Sequence, residues 1–205
     1  MKLAKSQSEI GSNRVVAMDT HALGTLRYIR ETMNTARSFS SVPGSPAIAM
    51  GCIGIIAAVI ASQPEFAAHW MRVWLLAACI AVPLGFALLV RNASKQGVVL
   101  YRGVARRFLL CLSPALVAAA ALTLALAQSG VTAVIPGTWI LLYGAGISAA
   151  SLLSIPLVGA MGLSYMLLGT MTLFAPSEWS NILLGIGFGG LHIFFGVLLA
   201  RRRYG

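Results

Sequence analysis

Long apolar runs alternate with short polar stretches along this chain. Six runs are close to the length of a membrane crossing: 44–62, 69–90, 108–128, 136–154, 156–175 and 181–200. A hydrocarbon core of roughly 30 Å takes about 20 helical residues, because each residue rises about 1.5 Å. The fourth and fifth runs are parted only by Ser154-Ile155-Pro156. Proline lacks the N–H that would continue a helix and clashes with the turn before it. Two helices joined by a tight turn are therefore expected there, not one long kinked helix. A different pattern precedes the first run. Ala22, Leu26, Ile29, Met33 and Ala36 recur at 4-3-4-3 spacing, while Arg27, Arg30, Glu31 and Asn34 fall off that stripe. With Asp19 or Thr20 as cap, this predicts a short amphipathic helix. The expected fold is all-α, a polytopic membrane bundle of six spans: an N-terminal segment 1–43, a spanning domain 44–200 and a basic tail 201–205.

Composition agrees with this pattern. Of 205 residues, 58% are hydrophobic and only 10% charged, against roughly 25% charged in an average soluble domain. Such a chain cannot cover a water-facing surface, so lipid must surround most of it. The formal charge of +10 would suit a nucleic-acid partner, but its distribution argues for topology instead. Short loops rich in Lys and Arg stay cytoplasmic. With the N-terminus inside, the cytoplasmic segments hold 14 of the 15 basic residues, and Arg72 alone falls outside, where the loops carry Glu65 and Glu178. Trp70, Trp74, Trp139 and Trp179 all fall at the outer boundary, a level that suits amphipathic indoles. Both termini are thus expected in the cytoplasm, and no nucleic-acid partner is expected. No apolar run precedes Pro46, so no cleavable signal peptide is expected. Cys52, Cys79 and Cys111 lie singly inside apolar runs, which suits small buried hydrophobes better than metal ligands or disulfides.

The basic loop from Arg91 to Arg107 contains Arg91, Lys95, Arg102, Arg106 and Arg107 and no acidic residue. It is expected to anchor to anionic lipids of the inner leaflet, each cation contributing about 1 kcal/mol. The amphipathic segment, with Arg27 and Arg30, either lies on the same leaflet or docks a cytoplasmic protein through residues 20–37. The sequence DTHALGTLRYIRETM, followed by VPG and a Gly/Ala-rich run, resembles small uncharacterised bacterial multi-span membrane proteins. The resemblance covers about residues 18–60. It implies a bacterial inner membrane and a neighbourhood of winged-helix regulators, and it implies no activity.

Candidate chemistry is sparse. No Asp, Glu or Lys falls inside a predicted span, which weighs against a coupled pump or antiporter. Ser148, Tyr165 and His192 remain as speculative ligand-binding residues. Counted by rise, each lies ~14–18 Å along its span, near mid-membrane. His192 is expected to share a face with Gly185, Gly189 and Gly196, and Tyr165 with Gly162, Gly169 and Thr172. Either a packing hydrogen bond such as His192 to Ser148 or a midplane solute site fits that layer. Gly146-Ile147-Ser148-Ala149 with His192 also resembles the serine and histidine of rhomboid intramembrane proteases, which implies a general base acting on Ser148. Ala149 in place of the motif glycine, and a very short first outer loop, depart from that family. Glu65, His69 and Arg72, at i, i+4 and i+7, are expected to form an interfacial salt bridge. Val42–Ser62 echoes Ile135–Ile155 at an offset of 93, Pro-Gly on Pro-Gly and Gly51 on Gly144, as an inverted repeat would. No cofactor, metal or enzymatic activity is expected. A membrane-embedded regulatory or interaction protein leads, with a small-solute facilitator as alternative; homo-oligomers fit either.

Overall fold

Proline marks where four of the helices begin. Pro46, Pro64, Pro136 and Pro156 each stand in a first turn, where the missing N–H would have had no helical partner and the fixed φ already suits a helix. The structure is a computed structural model, and it describes residues 44–94, 104–152 and 155–202. In order these form α1 (Ser45–Ala61), α2 (Pro64–Ala67), α3 (Trp70–Ser94), α4 (Val104–Gln128), α5 (Ile135–Ser151) and α6 (Pro156–Phe174). A last rod follows: a 3-10 turn (Ser177–Trp179), α7 (Ser180–Leu184), a π-helical segment (Gly185–Leu191) and α8 (His192–Arg201). The described residues contain no strand. The amphipathic helix expected over residues 20–37 lies outside them.

Four stretches are long and apolar enough to cross a membrane: Trp70–Asn92, Phe108–Gln128, Pro156–Phe174 and Ser177–Arg201. α1 and α5 are shorter, at 17 residues each. That is about 26 Å of helix, roughly one turn less than a 30 Å core requires. α5 ends at Ser151 and α6 begins at Pro156 after an extended Ile155 (ψ 152°), so a break does separate the fourth and fifth runs. α2 occupies the link after α1, and the helix stops at Ala68–His69 before α3 starts. Glu65, His69 and Arg72 therefore do not ride one continuous helix. All three are exposed, and the expected i, i+4, i+7 bridge has no common helical face to form on.

The last rod sits between α1 on one side and α5 with α6 on the other, while α3 leans on α1 and α4 on α5. Ile140, Ile147, Val158, Met161, Tyr165, Leu184, Phe195 and Leu199 make the buried core. Only 11% of the apolar stretch of α3, and of α4, is buried, against 44% for the last rod. Leu76, Ile80, Val117, Leu124, Leu163 and Leu167 are among many large apolar side chains on the outside. A water-soluble monomer rarely exposes a patch of more than a few hundred Å². This exterior is that of a protein immersed in hydrocarbon.

Two seams of close backbone approach join the helices. At Gly51 of α1 a side chain would run into Gly189 O at 2.8 Å, and at Gly144 of α5 into Gly162 O at 2.8 Å. Small residues at such crossings bring backbones together where apolar burial supplies little drive between helices in lipid. The echo at offset 93 thus has a packing meaning, since equivalent glycines open a seam in each case. Their partners differ, however. Gly51 meets the last rod, the sixth apolar run, whereas Gly144 meets α6, the fifth. An inverted repeat in chain order would send Gly144 to α4, the third run.

All the described cations except Arg72 gather toward one end. Asn92 at the end of α3 donates from Nδ2 to Ser45 Oγ at the start of α1 (3.0 Å). Gly44 in turn abuts Gly196 and Ala200 of α8. α4 runs antiparallel to α5, with Thr123 beside Trp139 and Leu112 beside Gly146, and α5 runs in the direction of the last rod. Exposed Arg91, Arg106, Arg201 and Arg202 consequently share an end of the bundle, with Glu65, Arg72 and Glu178 at the other.

Candidate functional site

His192 opens α8 and is 3% exposed, and Tyr165 in the middle of α6 is fully buried. Their rings meet edge to face, 5.5 Å between centroids. The third member comes from α5: Tyr143, half-buried, stands 5.0 Å from the Tyr165 ring and 5.4 Å from His192. Phe188 stacks over the imidazole at 6.2 Å and links the group to Trp74 of α3.

The hydrogen bonds fix a direction. Tyr143 Oη is 2.8 Å from His192 Nε2. Tyr165 Oη is 2.5 Å from Nδ1 and 2.7 Å from Gly187 O, and Nδ1 is also 3.1 Å from Phe188 O. A carbonyl only accepts, so Tyr165 must spend its one hydroxyl proton on Gly187 O, and Nδ1 must carry the hydrogen facing Phe188 O and Tyr165 Oη. Nε2 is then the acceptor for Tyr143. We assign the Nδ1–H tautomer on that count. The chain reads Tyr143 O–H to Nε2, Nδ1–H to Tyr165 Oη, and Tyr165 O–H to Gly187 O, which leaves no polar atom of the three side chains without a partner. In hydrocarbon each such bond contributes about 0.6–2 kcal/mol.

The backbone beneath the histidine is unusual. Gly185–Leu191 reads GIGFGGL and winds as a π-helix, a wider turn that often marks functional positions. Each residue of such a turn advances by a smaller angle than in an α-helix. His192 leaves the glycine face: Gly185, Gly189 and Gly196 meet Ala58, Ile55 and Ile48 of α1, while His192 meets Tyr143 of α5 and Tyr165 of α6. The expectation that the histidine shares that glycine face is corrected accordingly.

Of the three candidates named from sequence, Tyr165 and His192 come together and Ser148 does not join them. Ser148 Oγ lies 3.7 Å from Met166 Sδ and against Gly162. Ser148 and Tyr143 are five positions apart on one helix and so face different sides. Tyr165 and His192 share a layer, but Ser148 lies five residues, about 7.5 Å, further along α5 than the Tyr143 that meets His192. Depth also carries no information about direction around the helix axis. Tyr143 was missed, although it lies on the stripe Ile140, Tyr143, Ile147 (i, i+3, i+7) that faces the core. A serine–histidine pair of the rhomboid kind is not assembled in this arrangement.

A second polar cluster ties the other end of the bundle. Asn181 of α7 accepts from Trp74 Nε1 (2.8 Å) and donates to Ala58 O (3.1 Å) and Ser62 Oγ (2.8 Å), joining α1, α3 and the last rod. Trp139 Nε1 likewise donates to buried Thr123 (2.8 Å). Two of the four tryptophans expected to address headgroups therefore spend their N–H inside the protein. Arg27, Arg30, Lys95 and Arg102 lie outside the described residues; Arg107 belongs to the first turn of α4. No group of three or more potential metal ligands occurs among the described residues. Comparison with protein-family models, with curated proteins and with solved structures finds no match to this chain.

Proposed function

We propose that this chain is an integral protein of a bacterial inner membrane, crossing it six times with both termini in the cytoplasm. Its work is that of a membrane-embedded regulatory or interaction protein, not of an enzyme. One observation carries the reading: His192, Tyr143 and Tyr165 satisfy one another's hydrogen bonds, as a lock between three helices does. The gathering of Arg91, Arg106, Arg201 and Arg202 at one end supports the orientation, because cations are retained on the cytoplasmic side. On that side the basic loop, with Lys95, Arg102 and Arg107, contacts anionic headgroups. Residues 20–37, with Arg27 and Arg30, meet the same lipids or a cytoplasmic protein. The test is crosslinked affinity capture from cells with the full chain and with a chain lacking residues 1–40. Cytoplasmic partners lost on truncation are the expected result, and identical partner sets would contradict the reading.

A second reading, a small-solute facilitator, is favoured by the π segment beside His192. Flux through proteoliposomes that disappears in His192→Leu, with folding retained, would establish it over the first.

A further inference from the structure

The strongest unassigned feature is a groove of about 490 Å³ on the outer wall, between α1 and the last rod. Its walls are apolar: Ile55 and Val59 on α1, Ile182 and Ile186 on the rod. Its lip is polar and uncharged, formed by Ser62, Gln63 and Asn181. From lip to inner end the groove runs about 12–14 Å, counted from Gln63 back to Ile55 and from Asn181 on to Gly190. We propose that it holds one glycerophospholipid of the host membrane, an acyl chain along the walls and the glycerol level at the lip.

Two observations point to an occupant. Gly190 is the first. Its neighbours in the π segment have internal reasons to lack side chains, since Gly185, Gly187 and Gly189 each approach α1, α5 or α6 closely. A Cβ on Gly190 would meet no atom within 4 Å, and the residue lines the groove. No contact within the described protein accounts for the missing side chain, and its absence keeps the groove open at its inner end.

The lip is the second. Ser62 Oγ donates to Ala58 O and accepts from Asn181, and Gln63 Nε2 donates to Val59 O at 3.3 Å. Gln63 Oε1 accepts from none of the described residues. An exposed, uncharged amide thus stands at the edge of an open apolar groove, which suits ester and glycerol groups above a hydrocarbon tail. The lining carries no charge to recognise a nucleotide or an acidic peptide.

Native mass spectrometry of the full chain, extracted in mild detergent, tests this. The expected spectrum shows one bound phospholipid on the wild type and none on Gly190→Leu, whose side chain has room to enter the groove. Val59→Trp, which fills the groove from the opposite wall, is expected to lose the lipid as well, so the test survives if one variant does not fold. Leu76→Ala, on the exposed wall of α3 away from the groove, keeps it. A wild type free of lipid, or lipid retained by both filling variants, would overturn the proposal. So would a dimer that Gly190→Leu converts to monomer, because the occupant would then be a second copy of the chain.

Discussion

Replacing His192 with Leu should cost more than the loss of one buried side chain's packing, and the excess should depend on Tyr143. The substitution removes two ring-to-tyrosine bonds, at 2.8 Å and 2.5 Å. At about 0.6–1.7 kcal/mol each in a membrane interior, the expected loss is about 1–3 kcal/mol. Tyr165 keeps Gly187 O as its acceptor, so only the Tyr143 hydroxyl is orphaned. A buried hydroxyl without a partner is the costly outcome, whereas removing both partners together is cheaper. Tyr143→Phe in the His192→Leu background should therefore cost little or restore stability, although it destabilises the wild type. The measurement is a double-mutant cycle by denaturant titration in mixed micelles, followed by far-ultraviolet circular dichroism. A coupling of about 0.6–2 kcal/mol is expected. Additivity to within about 0.5 kcal/mol, the spread of independent sites, would refute the Tyr143–His192–Tyr165 chain as described.

Two further outcomes follow from the packing. Gly144→Ala, whose new methyl would meet Met166 N at 2.6 Å, should lower stability by about 1–3 kcal/mol as overpacking does. Gly190→Ala, with open space around it, should be neutral or slightly stabilising in the same titration. Asn181→Leu removes three hydrogen bonds that join α1, α3 and the last rod. It should cost about 1–3 kcal/mol through the orphaned Trp74 indole, while Ser62 keeps its bond to Ala58 O, with altered tryptophan fluorescence; an unchanged melting curve and emission maximum would count against that clamp.

The helices were readable from sequence because hydrocarbon imposes a one-dimensional condition, a long enough apolar run. The expected runs 108–128 and 156–175 meet the observed helices Val104–Gln128 and Pro156–Phe174 within a few residues, and Pro156 marks a boundary as its missing N–H requires. What failed is angular. Ser148 was placed beside His192 from depth alone, and Tyr143 was passed over. The 4-3-4 spacing of Gly185, Gly189, His192 and Gly196 did not mean one shared face, since the glycines meet α1 and His192 meets α5 and α6. The last rod also carries a π turn at Gly185–Leu191 that a fixed helical period does not describe. Four glycines in six positions are the only sequence trace of that turn, and they equally suit ordinary close packing. The Asn181 clamp was invisible for a similar reason: it joins Trp74, Ala58 and Ser62 across more than a hundred residues of chain.

The account rests most heavily on six crossings with the cations on the cytoplasmic side. Single cysteines at Ser129, Ser177, Ser94 and Gly205, in a chain with Cys52, Cys79 and Cys111 replaced by Ala, test it directly in spheroplasts with a membrane-impermeant maleimide. Ser129→Cys and Ser177→Cys should label in intact spheroplasts, and Ser94→Cys and Gly205→Cys only after lysis. Labelling of Gly205→Cys from outside, with Ser129→Cys and Ser177→Cys protected until lysis, would contradict the orientation, and all four on one side would contradict the number of crossings.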